Sequence, residues 1–265
     1  MSTPAPSASH DLLRATPSTR ADISLVIPAY NEAGGVAPVV GRLFDAFAQA
    51  GYQLEIVAVD NGSTDGTGDI LRGMIPKYPR LRVHRVEQNQ GYGNGILQGI
   101  PVADAEWVGM IPADGQVDAE DVVRLFEAAL ATDGQVVAKV RRRFRLDGIN
   151  RKFVSIAYNG LVLLLWPGLG TLDANGSPKL LRRDALRAMH LTSTGWFLDP
   201  ELMIKAHHLG LRVLELNVFA RMRGTGMSHV RASTCWEFFV ELLRYRFTGV
   251  IGRWRRDHLA TRTDG

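Results

Sequence analysis

The chain has 265 residues, 46% hydrophobic and 22% charged, with a mean hydropathy of −0.04, which excludes disorder and collagen and leaves a soluble chain with room for one large domain or two small ones. A lone cysteine, Cys235, excludes a disulfide scaffold and fits a reducing compartment. The net charge of +4 is unevenly spread: Lys139 to Lys152 holds seven basic residues against Asp147, and Arg221 to Arg262 holds nine arginines against Glu237, Glu241 and Asp257, so each stretch carries +6 and the remainder is acidic.

Residues 1–21, rich in Ser, Thr, Pro and Ala without an apolar signal core, read as a flexible tail. Thereafter short apolar runs alternate with amphipathic stretches, the pattern of a parallel sheet covered by helices. Ile23 to Ile27 is a strand stopped by Pro28, and Val36 to Ala50 a helix with Val39, Val40, Leu43, Phe44 and Phe47 on one face. Leu54 to Val59 is a second strand, ending in the polar turn Asp60 to Gly66, which caps a helix running to about Lys77. Leu81 to Val86 is a strand, Gly91 to Val102 a helix, and Trp107 to Ile111 a strand entering Pro112-Ala113-Asp114-Gly115-Gln116. Asp118 caps a helix over Val122 to Leu130, and Gln135 to Val140 is a fifth strand.

Beyond Val140 the rhythm changes. The longest apolar tract, Phe153 to Leu172, is broken by Pro167, Gly168 and Gly170, and its uninterrupted part, Leu161 to Trp166, is far shorter than the ~20 residues of a spanning helix. It reads as a buried or interfacial helix. Leu180 to Leu181 is a short strand, Pro200 to Leu209 a helix and Val213 to Val218 a strand. From Cys235, an apolar stripe of Trp236, Phe239, Val240, Leu243, Phe247, Val250, Ile251 and Trp254 recurs at helical spacing, edged by Arg244, Arg246, Arg253, Arg255 and Arg256. Such a stripe serves equally as core, as a dimer contact or as an interface with anionic lipid.

In an open parallel sheet, ligands collect beyond the carboxyl ends of the strands, and three strands here end in polar residues: Pro28-Ala29-Tyr30-Asn31-Glu32, Asp60 with its turn, and Asp114 to Gln116. One carboxylate can accept the ring N–H of a base and another can hold a hard divalent ion on a diphosphate. Each segment alone reads equally well as an ordinary turn; their succession points to a nucleotide and a cation. Gly91-Tyr92-Gly93-Asn94-Gly95 lacks the dinucleotide spacing and does not follow the first strand. His207-His208 has no ligand one turn on, which argues against zinc. The arginine clusters lack the interleaved aromatics of a nucleic-acid platform.

Those three segments, in this order, resemble the signatures of family 2 glycosyltransferases with the GT-A fold, and most closely the polyprenyl-phosphate, dolichol-phosphate mannose synthase-like branch. The resemblance covers roughly residues 22 to 230 and extends through Asp173 to Lys179, Gly195 to Leu202 and Arg223 to Ser228. It implies an α/β three-layer GT-A fold with a mostly parallel central sheet over 22–232, followed by an amphipathic, basic helix and tail over 233–265. It implies a nucleotide pocket lined by Pro28, Tyr30, Glu32, Asp60, Asn61 and Asp114, and Mg²⁺ or Mn²⁺ held by Asp114 and Gln116. Two departures stand out. Pro112 occupies the first acid position of the metal motif, leaving Asp114 as its only carboxylate, and Asn61 replaces a frequent Asp.

A lipid phosphate acceptor is already an anionic nucleophile, so it needs cations more than a base. Arg141, Arg143, Arg145, Arg151 and Lys152, with Arg221 and Arg223 from the second patch, are candidates for holding two phosphates side by side. Asp199 resembles the family's acceptor-site acid and is the base if the acceptor is a hydroxyl; otherwise it reads as a helix cap before Pro200. Asp173, Asn175, Lys179 and Trp196 are candidates for the sugar and acceptor. The expected activity is inverting transfer from a nucleotide sugar to a polyprenyl phosphate, on the cytoplasmic face of a membrane with peripheral contact, without nucleic acid and with a homo-oligomer as an option. The alternatives are a hydroxyl acceptor, or a nucleotide-sugar-binding protein without turnover, which Pro112 motivates.

Overall fold

The computed structural model describes residues 20–142, 158–171, 173–219 and 232–259. The apolar runs become strands β1 (Ile23–Ala29), β2 (Leu54–Asn61), β3 (Leu81–Val86) and β4 (Trp107–Met110), connected by α1 (Val36–Gln49), α2 (Thr67–Met74) and α3 (Tyr92–Gly99), with a 3-10 turn over Ile100–Val102. Helix α4 (Ala119–Leu130) leads into β5 (Val136–Arg142). Residues 158–165 form α5. Then come β6 (Lys179–Arg182), α6 (Arg183–Met189), α7 (Leu198–His208), β7 (Arg212–Val218), α8 (Ala232–Phe247) and α9 (Val250–Leu259).

The sheet order is β3-β2-β1-β4-β6-β5-β7, and every strand is parallel except β6, which runs against both β4 and β5. Successive side chains of a strand point to opposite faces, and β1 shows it. Ile23, Leu25 and Ile27 enter a layer with Val36, Val40 and Phe47 of α1, Leu71 of α2 and Val122 and Phe126 of α4. Val26 enters the other layer with Ile96 of α3, Val162 of α5, Leu186 of α6, Leu202 of α7 and Leu242 of α8. The result is three layers with the sheet between.

Four expectations need adjustment. Pro28 does not stop β1, which continues to Ala29 opposite Asp60. Its missing N–H is tolerated because β4 pairs only with Ile23 to Val26, leaving that side of Pro28 without a ladder to break. The helix after Gly66 ends at Met74 rather than near Lys77. Helix α6 was not apparent from the sequence, being a seven-residue piece with only Leu186 and Met189 buried. The C-terminal stripe forms two helices, because Gly249 adopts φ +71 between them. Helix α9 is held by buried Ile251 and Trp254, by Lys205 above the Trp254 ring and by His258 stacked on His190 at 3.8 Å.

Candidate functional site

The carboxyl ends of β1, β2 and β4 lie on one edge of the sheet, and antiparallel β6 begins on that edge because it starts where its neighbours finish. The turns after β1 and β2 are sewn together. The Asn31 amide donates to the Ser63 hydroxyl (3.1 Å), the Thr64 amide to Asn31 Oδ1 (2.9 Å), the Glu32 amide to the Thr67 hydroxyl (2.9 Å) and the Ala33 amide to Asp65 (3.0 Å). Asn31 sits at φ 53, a conformation that Asn tolerates better than most residues. Hydrogen bonds from Thr67 and from the Ala33 amide outweigh the cost of burial and hold Asp65 below the usual carboxylate range.

Asp60 is wholly buried, with its carboxylate accepting from the Ser63 amide (2.9 Å) and paired with the half-exposed Arg85 guanidinium (2.6 Å). A buried carboxylate requires such compensation. Asn61 is 2% exposed, and its amide nitrogen donates to Asn89 Oδ1 (3.1 Å) and Gly91 O (2.9 Å). Those two bonds fix the amide orientation and leave buried Oδ1 without a partner among the described residues.

After β4, Gly115 takes φ +64 and the Gln116 amide donates to Asp114 Oδ1 (3.1 Å), so the two side chains issue from one tight turn. This turn lines a shallow pocket with Arg42 and Val39 of α1 and with Ser177. Among the described residues no three His, Cys, Asp or Glu side chains are grouped as a metal cluster. The donor set of the turn is one carboxylate and one amide oxygen, hard ligands that fit Mg²⁺ or Mn²⁺ once phosphate oxygens and water complete the shell.

At the start of β6, Lys179 is fully buried and its ammonium donates to Asp199 Oδ1 at 2.5 Å. Asp199 lies in the first turn of α7, and its side chain does not cap the helix; the N-cap residue is Phe197. Burial pushes the Lys179 ammonium below the ordinary lysine value, the Asp199 charge opposes this and neighbouring Lys139 reinforces it. Burial and the Asp199 charge raise the Tyr158 phenol, so it stays protonated. Beside this pair, buried Lys139 bonds Thr171 (3.2 Å) and Glu215 (3.0 Å), and the Thr171 hydroxyl donates to Glu215 and receives the Asp173 amide (3.1 Å). The Asn175 amide donates to Asp173 Oδ1 at 3.2 Å, which shapes the turn between them.

The two halves meet through the glycine-rich start of α3. The Asn94 amide donates to Thr194 O (2.7 Å), and Tyr92 stacks on Trp196 with ring centroids 4.8 Å apart. A Cβ on Gly93 would lie 2.3 Å from Ser193 O and 2.6 Å from Gly195 O. The glycines thus allow the start of α3 to touch the 193–195 backbone, which leads directly to Trp196 and Asp199. Gly93→Ala must push these segments apart, and we expect it to cost about 1–3 kcal/mol. Thermal melting reads the loss, and a fall in kcat/KM in the surviving folded fraction reports the displaced cleft.

The structure therefore brings Pro28, Tyr30, Glu32, Asp60, Asn61, Asp114 and Gln116 to one edge, and Asp173, Asn175, Lys179, Trp196 and Asp199 to the adjoining side. Arg141 lies near the carboxyl end of β5, opposite Asn217 of β7. Arg143, Arg145, Arg151, Lys152, Arg221 and Arg223 lie outside the described residues. Sequence reasoning missed Arg85, Arg42 and Tyr158, which carry no motif. It also missed Glu201, fully buried on α7, which accepts from the Thr192 (3.1 Å) and Ser193 (2.8 Å) amides and pairs with Lys205 at 2.6 Å. Burial alone would raise Glu201; the Lys205 charge and these hydrogen bonds hold it below the usual carboxylate range. Its signal was legible as a Glu and a Lys one helical turn apart around the apolar run Leu202-Met203-Ile204.

The model of "Glycosyl transferase family 2" matches residues 24–189. A dolichyl-phosphate β-glucosyltransferase of Trichomonas vaginalis is 25% identical over 87% of this chain and 72% of its own length. An undecaprenyl-phosphate 4-deoxy-4-formamido-L-arabinose transferase of Edwardsiella ictaluri is 36% identical over 78% of this chain and 62% of its own length. Among solved structures, glucosyl-3-phosphoglycerate synthase from Mycobacterium tuberculosis, in complex with Mn²⁺, UDP and phosphoglyceric acid, superposes with a TM-score of 0.68 at 22% identity over 85% of this chain and 78% of that one. That likeness is one of fold, the GT-A fold that the sequence motifs imply.

Proposed function

Since the chain belongs to glycosyl transferase family 2, we propose that it is an inverting enzyme that moves a sugar from a nucleotide-diphosphate donor to a polyprenyl phosphate at the cytoplasmic surface of a membrane. The working unit runs over residues 22–232, with 233–265 as its membrane-facing part and 1–21 as a tail. The donor base is held at the ends of β1 and β2 by Pro28, Tyr30, Glu32, Asp60 and Asn61, and Asn61 Oδ1, without a partner among the described residues, offers an acceptor to a ring N–H. Asp114 and Gln116 are the residues that would hold Mg²⁺ or Mn²⁺, and the ion would supply positive charge for the departing diphosphate. The relatives that act on dolichyl and undecaprenyl phosphates support the acceptor class.

One observation carries the choice of a phosphate over a hydroxyl acceptor: Asp199 is already engaged by the buried Lys179 ammonium at 2.5 Å. A carboxylate that gives its oxygen to an ammonium is poorly placed to take a proton from an alcohol. An acceptor phosphate has no proton to give, and it needs only positive charge to approach the donor diphosphate. Arg141, Arg151 and Arg223 supply that charge, while Asp173, Asn175, Lys179 and Trp196 shape the sugar and acceptor site. With a polyprenyl phosphate as acceptor, Asp199→Asn should retain transfer within about tenfold, because Asn can still accept from Lys179. The substitution leaves the buried Lys179 ammonium without its counter-charge and so lowers the melting temperature; a loss of roughly 10²–10⁴-fold per folded molecule would instead make Asp199 a general base and the acceptor a hydroxyl.

A further inference from the structure

Helix α8 has two apolar faces. Leu242 and Tyr245 are buried in the core with Phe197, Leu198 and Leu202. The remaining apolar residues are not: Phe247 is 71% exposed, Val240 42% and Phe239 38%, with Leu243 half-buried between them. At about 100° per residue, Phe239, Leu243, Phe247 and Val240 fall in one arc about 100° wide. Arg246 lies about 20° beyond one edge of that arc and Arg244 about 40° beyond the other, while Tyr245 points directly away. Helix α5 covers the same face of the sheet and leaves Leu164 78% exposed. Over 239–259 the exposed charges are Arg244, Arg246, Arg253, Arg255 and Arg256 against Asp257, with the half-buried Glu241 3.4 Å from Arg244.

We propose that the outward face of α8, formed by Phe239, Val240, Leu243 and Phe247 between Arg244 and Arg246, docks on an anionic lipid surface. The arrangement is that of a helix lying in the interface plane, with its apolar arc below the headgroups and its arginines among the phosphates. Charge decides for lipid over a second copy of the chain: the same arc on a partner would bring its flanking arginines against their own equivalents, with Glu241 the only acid at that edge. The inference deepens the membrane reading given above, since the same face would hold the cleft near an acceptor whose tail stays in the bilayer.

The test is co-sedimentation of the full-length protein with phosphatidylcholine vesicles, with and without phosphatidylglycerol, and free of polyprenyl phosphate. Binding to the anionic vesicles is expected, falling about tenfold or more in a Phe239→Ser, Phe247→Ser double variant and in an Arg246→Gln, Arg255→Gln variant, without change in melting temperature. Equal binding by wild type and the serine variant overturns the proposal. So does a dimer in light scattering that the serine variant converts to monomer without any vesicle binding. Transfer to a short-chain, water-soluble polyprenyl phosphate separates the two readings: vesicle binding without such transfer keeps the docking face and removes the acceptor assignment.

Discussion

Asp114→Asn is expected to lower sugar transfer on the order of 10³-fold while leaving the melting temperature unchanged. The substitution keeps an oxygen that can accept from the Gln116 amide, so the turn around Gly115 should persist. What it removes is the only carboxylate of the metal motif, because the neighbouring acid position is Pro112. No other group of acidic or histidine ligands is gathered among the described residues to take over. Nucleotide diphosphate affinity, measured by calorimetry, should rise with Mn²⁺ in the wild type and lose that dependence in the variant. Transfer by Asp114→Asn at close to the wild-type rate would move the cation, or the need for one, elsewhere.

The second large effect concerns Lys179. Its ammonium is fully buried and its partner Asp199 is nearly so, and removing one member of such a pair leaves an uncompensated charge that costs about 3–5 kcal/mol. Lys179→Ala should accordingly lower the melting temperature by about 10 °C for a chain of this size. A Lys179→Met, Asp199→Leu double variant removes both charges and should recover most of that stability. It should not recover transfer, since both side chains belong to the proposed acceptor site. If the single and double variants melt alike, the pair contributes little and Asp199 is not held as described.

The first five strands were legible because period and turn chemistry agree there: the apolar run of β2 gives way to Asp60 and its polar turn, that of β4 gives way to Pro112 to Gln116, and α1 and α4 each have one apolar face. The antiparallel strand was legible only as Leu180 and Leu181, two residues whose insertion between β4 and β5 follows from pairing with Gly109 and Val108 on one side and Ala138 on the other rather than from any local pattern. The C-terminal stripe was visible, but its division between core and surface was not: Leu242 and Tyr245, which lie outside the stripe, are buried, whereas Phe239, Val240 and Phe247 within it are exposed.

The site shows the same division. The turns after β1 and β2 announce themselves through Asn31, Asp60 and Asp65, short polar side chains that bind nearby backbone. The Lys179 to Asp199 pair spans 20 residues and two elements, and nothing local marks it. The Gly91 to Gly95 segment lacks the dinucleotide spacing, and its close glycines serve a different need, the approach of one backbone to another at 193–195.

The central claim is that an anionic lipid phosphate receives the sugar. The most direct measurement gives the purified full-length chain a polyprenyl phosphate, Mg²⁺ or Mn²⁺ and a panel of labelled GDP- and UDP-sugars, and follows label into the organic phase together with release of nucleotide diphosphate. One sugar per lipid, joined through the phosphate and formed only when the phosphate is present, is the predicted result. Label passing instead to a glycan or small-molecule hydroxyl, or nucleotide bound with no diphosphate released under any donor, would contradict it.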